Sequence, residues 1–408
     1  MPIFDALPEL DLNAEDFQSG IERAVAAAAA YQKGQGLARS QRGIEVLAYD
    51  TVADTLRDPN LRVAIEARLN VIGITNQRAR TAHLEAIFAR DGADHGRARR
   101  ACMPWFSKSG ADRLRARARS FIDASLDDAE TCPDDFDILE LLTNKLPPYL
   151  YCEMIGAPLE DAPLIRHLSD ENMLLSAPPL PGYAERIERA ILDTQAYLHK
   201  AIEERRAHPG DDLLSYMIGL EGTSDVTLSD IIGVAFNALI GSTDTTSTQI
   251  CLNLQSLAGN PDQWELLKHD PDLIPRAVTE LVRYNPIVWS VNRSPTGPIQ
   301  WNGLDLDENA TIFLNIFAAN NDSTVFPNPR VLDINRRQGA KGVLTFGTGP
   351  HACLGRMISV MEQEEVLRAA IERWDSFDII GAQFGGAMFN ITASEFRIRF
   401  KPKTLVPA

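Results

Sequence analysis

The stretch Phe346-Gly-Thr-Gly-Pro-His-Ala-Cys-Leu-Gly355 is where residue types and spacing in this chain point most directly to chemistry. Glycines at 347 and 349 permit positive φ and a close approach of backbone to a ligand, while Pro350 stiffens the loop. A helical pattern runs from Leu354 to about Arg373, so Cys353 stands at a helix N-terminus. Unpaired N–H groups and the positive end of the helix dipole there favour a thiolate. An isolated cysteine is ordinarily inert core. The glycine-rich approach and the helix-end position argue instead for a nucleophile or a metal ligand.

A second constellation lies in a long helix. It starts near Thr227-Leu-Ser-Asp230, which resembles a capping box, and runs to Gly259-Asn-Pro261. Its roughly 32 residues span about 48 Å, enough to cross a globule of this size. The middle must therefore be buried, yet it reads Gly241-Ser-Thr-Asp-Thr-Thr246, six small or polar residues. Two readings are open: a packing groove whose Ser and Thr bond back to carbonyls four residues earlier, or a polar cavity lined by the helix, with Asp244 facing it.

The elements that must hold these groups form an α+β chain, predominantly helical. Apolar residues recur at three and four from about 94 to 285, and again at 354–373, giving a helical body. Strand-like pieces are Gly43 to Tyr49, Thr311 to Phe317 and Phe396 to Phe400, in small β-rich parts near 35–75, 288–320 and 380–405. Ser176-Ala-Pro-Pro-Leu-Pro-Gly182 cannot be helical and is expected as a loop. The 408 residues are 45% hydrophobic and 24% charged, which suits a large core, and no long Pro/Ser/Gly linker interrupts them. A single domain over 1–408 is the expectation.

The 40 Lys and Arg against 56 Asp and Glu leave a net charge of −16, which repels phosphate backbones and argues against nucleic acid as a partner. The N-terminal residues lack a signal-peptide pattern, and the longest small apolar run, Ala24 to Ala30, is far short of the roughly 20 residues a membrane helix needs. The expectation is a soluble cytoplasmic protein without membrane attachment. Cysteines 102, 132, 152, 251 and 353 form no CxxC pair, so neither a disulfide framework nor a structural zinc site is expected.

Phe346, Gly349, Cys353 and Gly355 match the FxxGxxxCxG signature of the cytochrome P-450 family, and Gly347, His351 and Arg356 bring the match closer to its soluble bacterial type. His95 and Arg99 (HxxxR), Asp244-Thr245-Thr246, Glu280 and Arg283 (ExxR), Asn320-Asn-Asp322 and Phe326-Pro-Asn-Pro329 fall in the family's order, so the resemblance covers nearly the whole chain. It implies the P-450 fold and haem b, iron protoporphyrin IX, with Cys353 as the iron ligand. A thiolate on haem iron favours O–O cleavage on the opposite face. Phe346 and Gly355 would pack at the haem beside the sulfur. His95, Arg99, Arg293 and His351 match the cationic partners of the propionates. Asp244 and Thr245 match the acid and alcohol that deliver protons to dioxygen. The departure is Ser242, where the family usually has Gly; its hydroxyl either narrows the groove or adds a relay site. Glu280 and Arg283 match a structural ion pair. Its usual third, basic partner aligns with Val331, so that arm is missing or replaced by Arg330 or Arg336.

Positions matching the family's distal pocket are Phe236, Asn237, Leu239, Ile240 and Gly241 on the long helix, Val288, Trp289 and Asn292, and Met388 and Phe389. Most are apolar, so the resemblance implies a small hydrophobic substrate oxidised by a monooxygenase. Nothing resembles a fused flavin or nicotinamide domain. Electrons would come from NAD(P)H through a separate ferredoxin reductase and ferredoxin, and the enzyme is expected as a monomer. Between Arg97 and Arg119 seven arginines and Lys108 face Asp112 alone. That run is either a solvated face or a docking patch for an acidic ferredoxin, which the resemblance favours. Two other classes compete: a thiolate-ligated haem sensor without turnover, and a cofactor-free helical protein with a reactive Cys353.

Overall fold

The computed structural model describes residues 6–14, 21–32, 35–131, 134–337, 339–386 and 389–403, and divides into two compact units. Cys132 and the expected pocket residue Met388 lie outside the described residues. Among the described residues no helix is long and apolar enough to cross a membrane.

One unit comprises 1–67, 276–353 and 385–391. Its sheet has five strands in the order Leu37–Ser40, Gly43–Val46, Ile312–Asn315, Ser290–Pro295 and Leu61–Arg62. Gly43–Val46 runs parallel to Ile312–Asn315 with Ile44 opposite Ile312, and the other pairs are antiparallel. All four residues of Ile312–Asn315 are buried, which is why this strand is a run of bulky side chains without alternation. Both strands expected here end early, for local reasons. The Asp322 carboxylate accepts from the Tyr49 N–H at 3.0 Å, and the helix Tyr49–Thr55 starts there. The Trp289 carbonyl accepts from the Ile316 N–H at 2.9 Å, which opens the helix Ile316–Asn320. Ile44, Val46, Val52, Ile312, Leu314 and Phe326 form the core beneath the sheet.

The other unit comprises 68–275, 354–384 and 392–408. Its axis is the helix Leu228–Ala258, opened by a complete Thr227/Asp230 capping box and closed at Gly259. Helices Leu146–Ile155, Ala162–Met173, Tyr183–Ala207 and Arg356–Arg373 pack around it, burying most of its length. A three-stranded sheet, Phe136–Asp137, Thr392–Pro402 and Trp374–Gly385, lies at one edge. Of the expected loop, residues 177 to 182 are free of helix, as their prolines require, whereas Ser176 ends the short 3-10 turn Leu174–Ser176, ahead of the first proline.

Candidate functional site

In the first unit the cysteine loop is built from anchors placed before it. Asn320, fully buried, accepts from the Leu344 N–H at 2.8 Å and donates to Thr345 at 2.8 Å, and Thr345 donates to the Val282 carbonyl at 2.6 Å. The chain therefore enters Phe346 in a fixed place. Gly347 and Gly349 take φ of +64° and +76°, and a Cβ on Gly349 would sit 2.9 Å from the Leu56 carbonyl oxygen, so only glycine fits there. The Cys353 N–H donates to the Phe346 carbonyl at 2.7 Å, closing the loop and leaving the thiol exposed. Gly355 takes the N-cap position, so the helix begins at Arg356, two residues later than the pattern suggests. Cys353 thus stands just ahead of the first turn. The other described cysteines, 102, 152 and 251, are buried, and burial pushes each thiol up to about 12.

Glu280 and Arg283 lie on the helix Ile274–Tyr284 and form a bidentate pair, both contacts 2.8 Å, with the arginine fully buried. Arg283 also donates to the Asn320 carbonyl at 3.0 Å, which links the pair to the cysteine-loop anchor. The missing third arm is Arg336: its Nε donates to Glu280 at 2.9 Å, and its other nitrogens donate to the carbonyls of Pro327, Asn328 and Val331. Val331 itself is exposed, and Arg330 turns to the Tyr284 carbonyl and ring. Glu280→Ala leaves two guanidiniums without their shared carboxylate. We expect a loss of about 3–5 kcal/mol of stability, read as a lower denaturant midpoint.

Arg293 is buried on the strand Ser290–Pro295 and donates to the Asn292 carbonyl at 2.7 Å; His351 is half-buried in the cysteine loop. Of the expected pocket residues in this unit, Val288, Asn292 and Phe389 are half-buried. Trp289 is core: it stacks on Phe317 at 4.5 Å, and its backbone N–H donates to the Phe389 carbonyl at 2.7 Å.

In the second unit the long helix keeps one face open. Asn237, Ile240, Gly241 and Thr245 share a side at helical spacing and are exposed or half-exposed, whereas Phe236 and Leu239 are fully buried. The helix centre is therefore packed on one side and open on the other, and the back-bond expected of a helical threonine is made on the open side, by Thr245. Thr245 donates to the Gly241 carbonyl at 2.7 Å, competing with the helical ladder at that oxygen. Ser242 turns its hydroxyl to the Leu239 carbonyl at 3.4 Å, so it is bonded to its own helix.

Asp244 is 5% exposed. Burial raises its pKa to about 6, opposed by the Arg166 guanidinium 3.9 Å away and helped by Asp170. Thr392 donates to its other oxygen at 3.4 Å. Arg166, on Ala162–Met173, is itself held by Asp170 at 2.8 Å and by Asn144 at 2.7 Å, and Ser247 of the long helix bonds the same Asn144 oxygen. Arg166, Asn144 and Thr392 were not found in the sequence. Arg166 and Asp170 stand four apart, the spacing of any helical ion pair, so the spacing carries no signal of a buried partner.

His95 is buried and Arg99 half-buried on the helix Gly92–Phe106. The basic run around them is largely neutralised at home. Arg97 pairs with Asp94 and the buried Asp230, Arg113 with Asp211, Arg115 with Glu364 and Glu365, Arg117 with Glu153, and Arg119 with Asp123 and Glu372. Arg115 and Arg119 thereby lace the helix Lys108–Ala129 to Arg356–Arg373.

These features can be set against known proteins. The Cytochrome P450 family matches residues 74–377. The chain is 28% identical to luteothin monooxygenase of Streptomyces thioluteus over 349 residues, 85% of each chain. It is 28% identical to 6-deoxyerythronolide B hydroxylase of Saccharopolyspora erythraea over 291 residues, 71% of this chain and 70% of that one. The crystal structure of CalO2 superposes with a TM-score of 0.86 at 23% identity, covering 97% of this chain and all of that one. The chain belongs to the cytochrome P450 family. It is a P450 monooxygenase, an oxidoreductase that uses haem and dioxygen.

The residues present fit a haem. Cys353 offers one exposed thiol on a stiff glycine cradle. Among the described residues no group of three or more His, Cys, Asp or Glu is placed to hold a metal ion. A single thiolate would suit an iron whose other ligands come with it in a porphyrin.

Proposed function

We propose that this chain inserts one atom of dioxygen into a mainly hydrophobic small molecule, with Cys353 as the thiolate ligand of haem b. The burial of Asp244, one residue from a Thr245 hydroxyl on the open helix face, carries this reading. The haem, when bound, supplies the iron centre at which dioxygen is activated. The chain's own part is to hold and move protons. A carboxyl group whose pKa lies near 6 is protonated for part of the time at neutral pH, which suits a group that both takes and gives a proton. Arg166 and Asp170, the latter's side chain 43% exposed, offer Asp244 a polar route toward solvent, and Thr245, its own proton given to the Gly241 carbonyl, presents an acceptor oxygen on the open face.

His95, Arg99, Arg293 and His351 would pair with the propionates, and Asn237, Ile240, Gly241, Val288, Asn292 and Phe389 would line the substrate pocket. Relatives named for luteothin and 6-deoxyerythronolide B support a secondary metabolite as the substrate. Electrons would reach the iron from NAD(P)H through a ferredoxin reductase and a ferredoxin in the cytoplasm. The Arg97–Arg119 face alone is a weak docking patch, because its carboxylate partners cancel most of its charge.

Oxygen uptake with a ferredoxin system, measured with and without candidate substrates, tests the reading. Uptake should depend on substrate and yield an oxygenated product; a sensor would bind ligand and form none. Thr245→Ala should divert reducing equivalents to hydrogen peroxide, raising the peroxide fraction severalfold while the carbon monoxide difference spectrum stays unchanged. Full coupling in that variant would remove Thr245 from the proton relay.

A further inference from the structure

The helix centre at Gly241 to Thr246 is locally weak. Gly241 lowers helix propensity, and the Thr245 hydroxyl competes for a ladder carbonyl. A segment of that kind keeps its position through contacts made by its neighbours. On the side away from the open face, Thr246, Gln249 and Asn253 form a polar stripe at helical spacing, and all three are buried. They meet Ser359 and Gln363, four apart on Arg356–Arg373.

The hydrogen bonds between them form one connected chain. Gln249 donates to Asn253 at 2.9 Å, Asn253 donates to Gln363 at 2.8 Å, and Gln363 donates to the Ser359 hydroxyl at 3.1 Å. The same hydroxyl accepts from Thr246 at 3.1 Å. Asn253 and Gln363 each use the amide oxygen on one side and the nitrogen on the other, so a single orientation satisfies both. Buried networks satisfied in this way are rigid. Ser359 is where the chain reaches the residue next to Thr245, and its helix begins three residues after Cys353.

We propose that Ser359 is a positioning residue: its hydroxyl, backed by Gln363 and Asn253, holds Thr246 and thereby fixes the Asp244–Thr245 segment relative to the helix that follows Cys353. This rests on the proton-relay reading above. None of the five residues of the chain belongs to the relay. Their effect on the reaction runs through the position of Thr245.

The test compares the haem-loaded parent with Ser359→Ala, Ser359→Thr and Ser359→Ala combined with Thr246→Val. Alanine is a good helix former, so Ser359→Ala keeps the helix and removes only the hydroxyl. Amide hydrogen exchange should quicken about tenfold at residues 241–247 and stay unchanged at 251–257, as expected for the loss of one local tether. With a ferredoxin system, the peroxide fraction should rise about twofold to threefold. Ser359→Thr, which keeps a hydroxyl, should restore both readouts, and adding Thr246→Val should change neither further. Unchanged exchange at 241–247, an even increase along the whole helix, or faster exchange without more peroxide would each overturn the proposal. A parent that consumes no oxygen would sink the functional reading first, before any variant is compared, and the proposal with it.

Discussion

Replacing Cys353 by alanine should abolish the thiolate signature of the carbon monoxide complex and reduce product formation to background. Cys353 is the one exposed cysteine among the described residues, while 102, 152 and 251 are buried and their thiols are pushed up to about 12. None of these three is suited to supply a thiolate in its place. The loop around Cys353 is held independently of the sulfur, by the bond from its N–H to Phe346 and by the Leu344 and Thr345 anchors. The variant should therefore fold with near-parental far-ultraviolet dichroism. A variant that retained the parental carbon monoxide spectrum would exclude Cys353 as the ligand. Cys353→His offers the converse check: an imidazole on the iron should yield a coloured protein without the thiolate band.

Asp244→Asn should make the protein more stable at neutral pH and much less active. The carboxyl pKa lies near 6 in the fold against an ordinary 3.8, chiefly because burial disfavours the anion. A raised folded value means that the stability contributed by this group is complete below about pH 3.8 and is lost as the pH rises through about 6. At pH 8 the parent carries an ionised buried group at a cost of about 3 kcal/mol, the free energy of holding that proton equilibrium near 6 and not 3.8. Asparagine does not ionise and carries no such cost. The variant should melt a few degrees above the parent at pH 8, and the two should converge toward pH 4. His83, buried against Phe88 and Phe236, is pushed down to about 4 by burial and destabilises the fold as pH falls below about 6.5, but it does so equally in both proteins. Product formation should fall about a hundredfold, the scale expected for removing a positioned acid or base. Equal melting temperatures across the pH range would show that Asp244 is not ionised at a cost, and unchanged turnover would remove it from the relay.

Much of the site was legible because its signals are local. A thiol after two glycines, an acid beside an alcohol in a helix centre, and a capping box at Thr227 are each set by neighbours within a few residues, and the structure places the capping box as expected. The ExxR pair was legible for the same reason, both residues sharing one helix turn. Its third arm was not. Choosing among Val331, Arg330 and Arg336 requires knowing which guanidinium reaches back to a glutamate more than 50 residues earlier, and here Arg336 does. The basic run shows the same limit from the other side. Eight cations against Asp112 look like a docking face in one dimension, but carboxylates from Asp230, Glu364, Glu365 and Glu372 arrive from other helices.

The sequence by itself determined the family and marked the thiol and the acid–alcohol pair as its candidate site, because these depend on residue type and short spacing. Tertiary structure decided which face of the long helix is open, what sets the proton affinity of Asp244, and which carboxylates meet the cations of the basic run. Burial and charge pairing are properties of what packs against a residue, and those partners lie tens or hundreds of positions away along the chain.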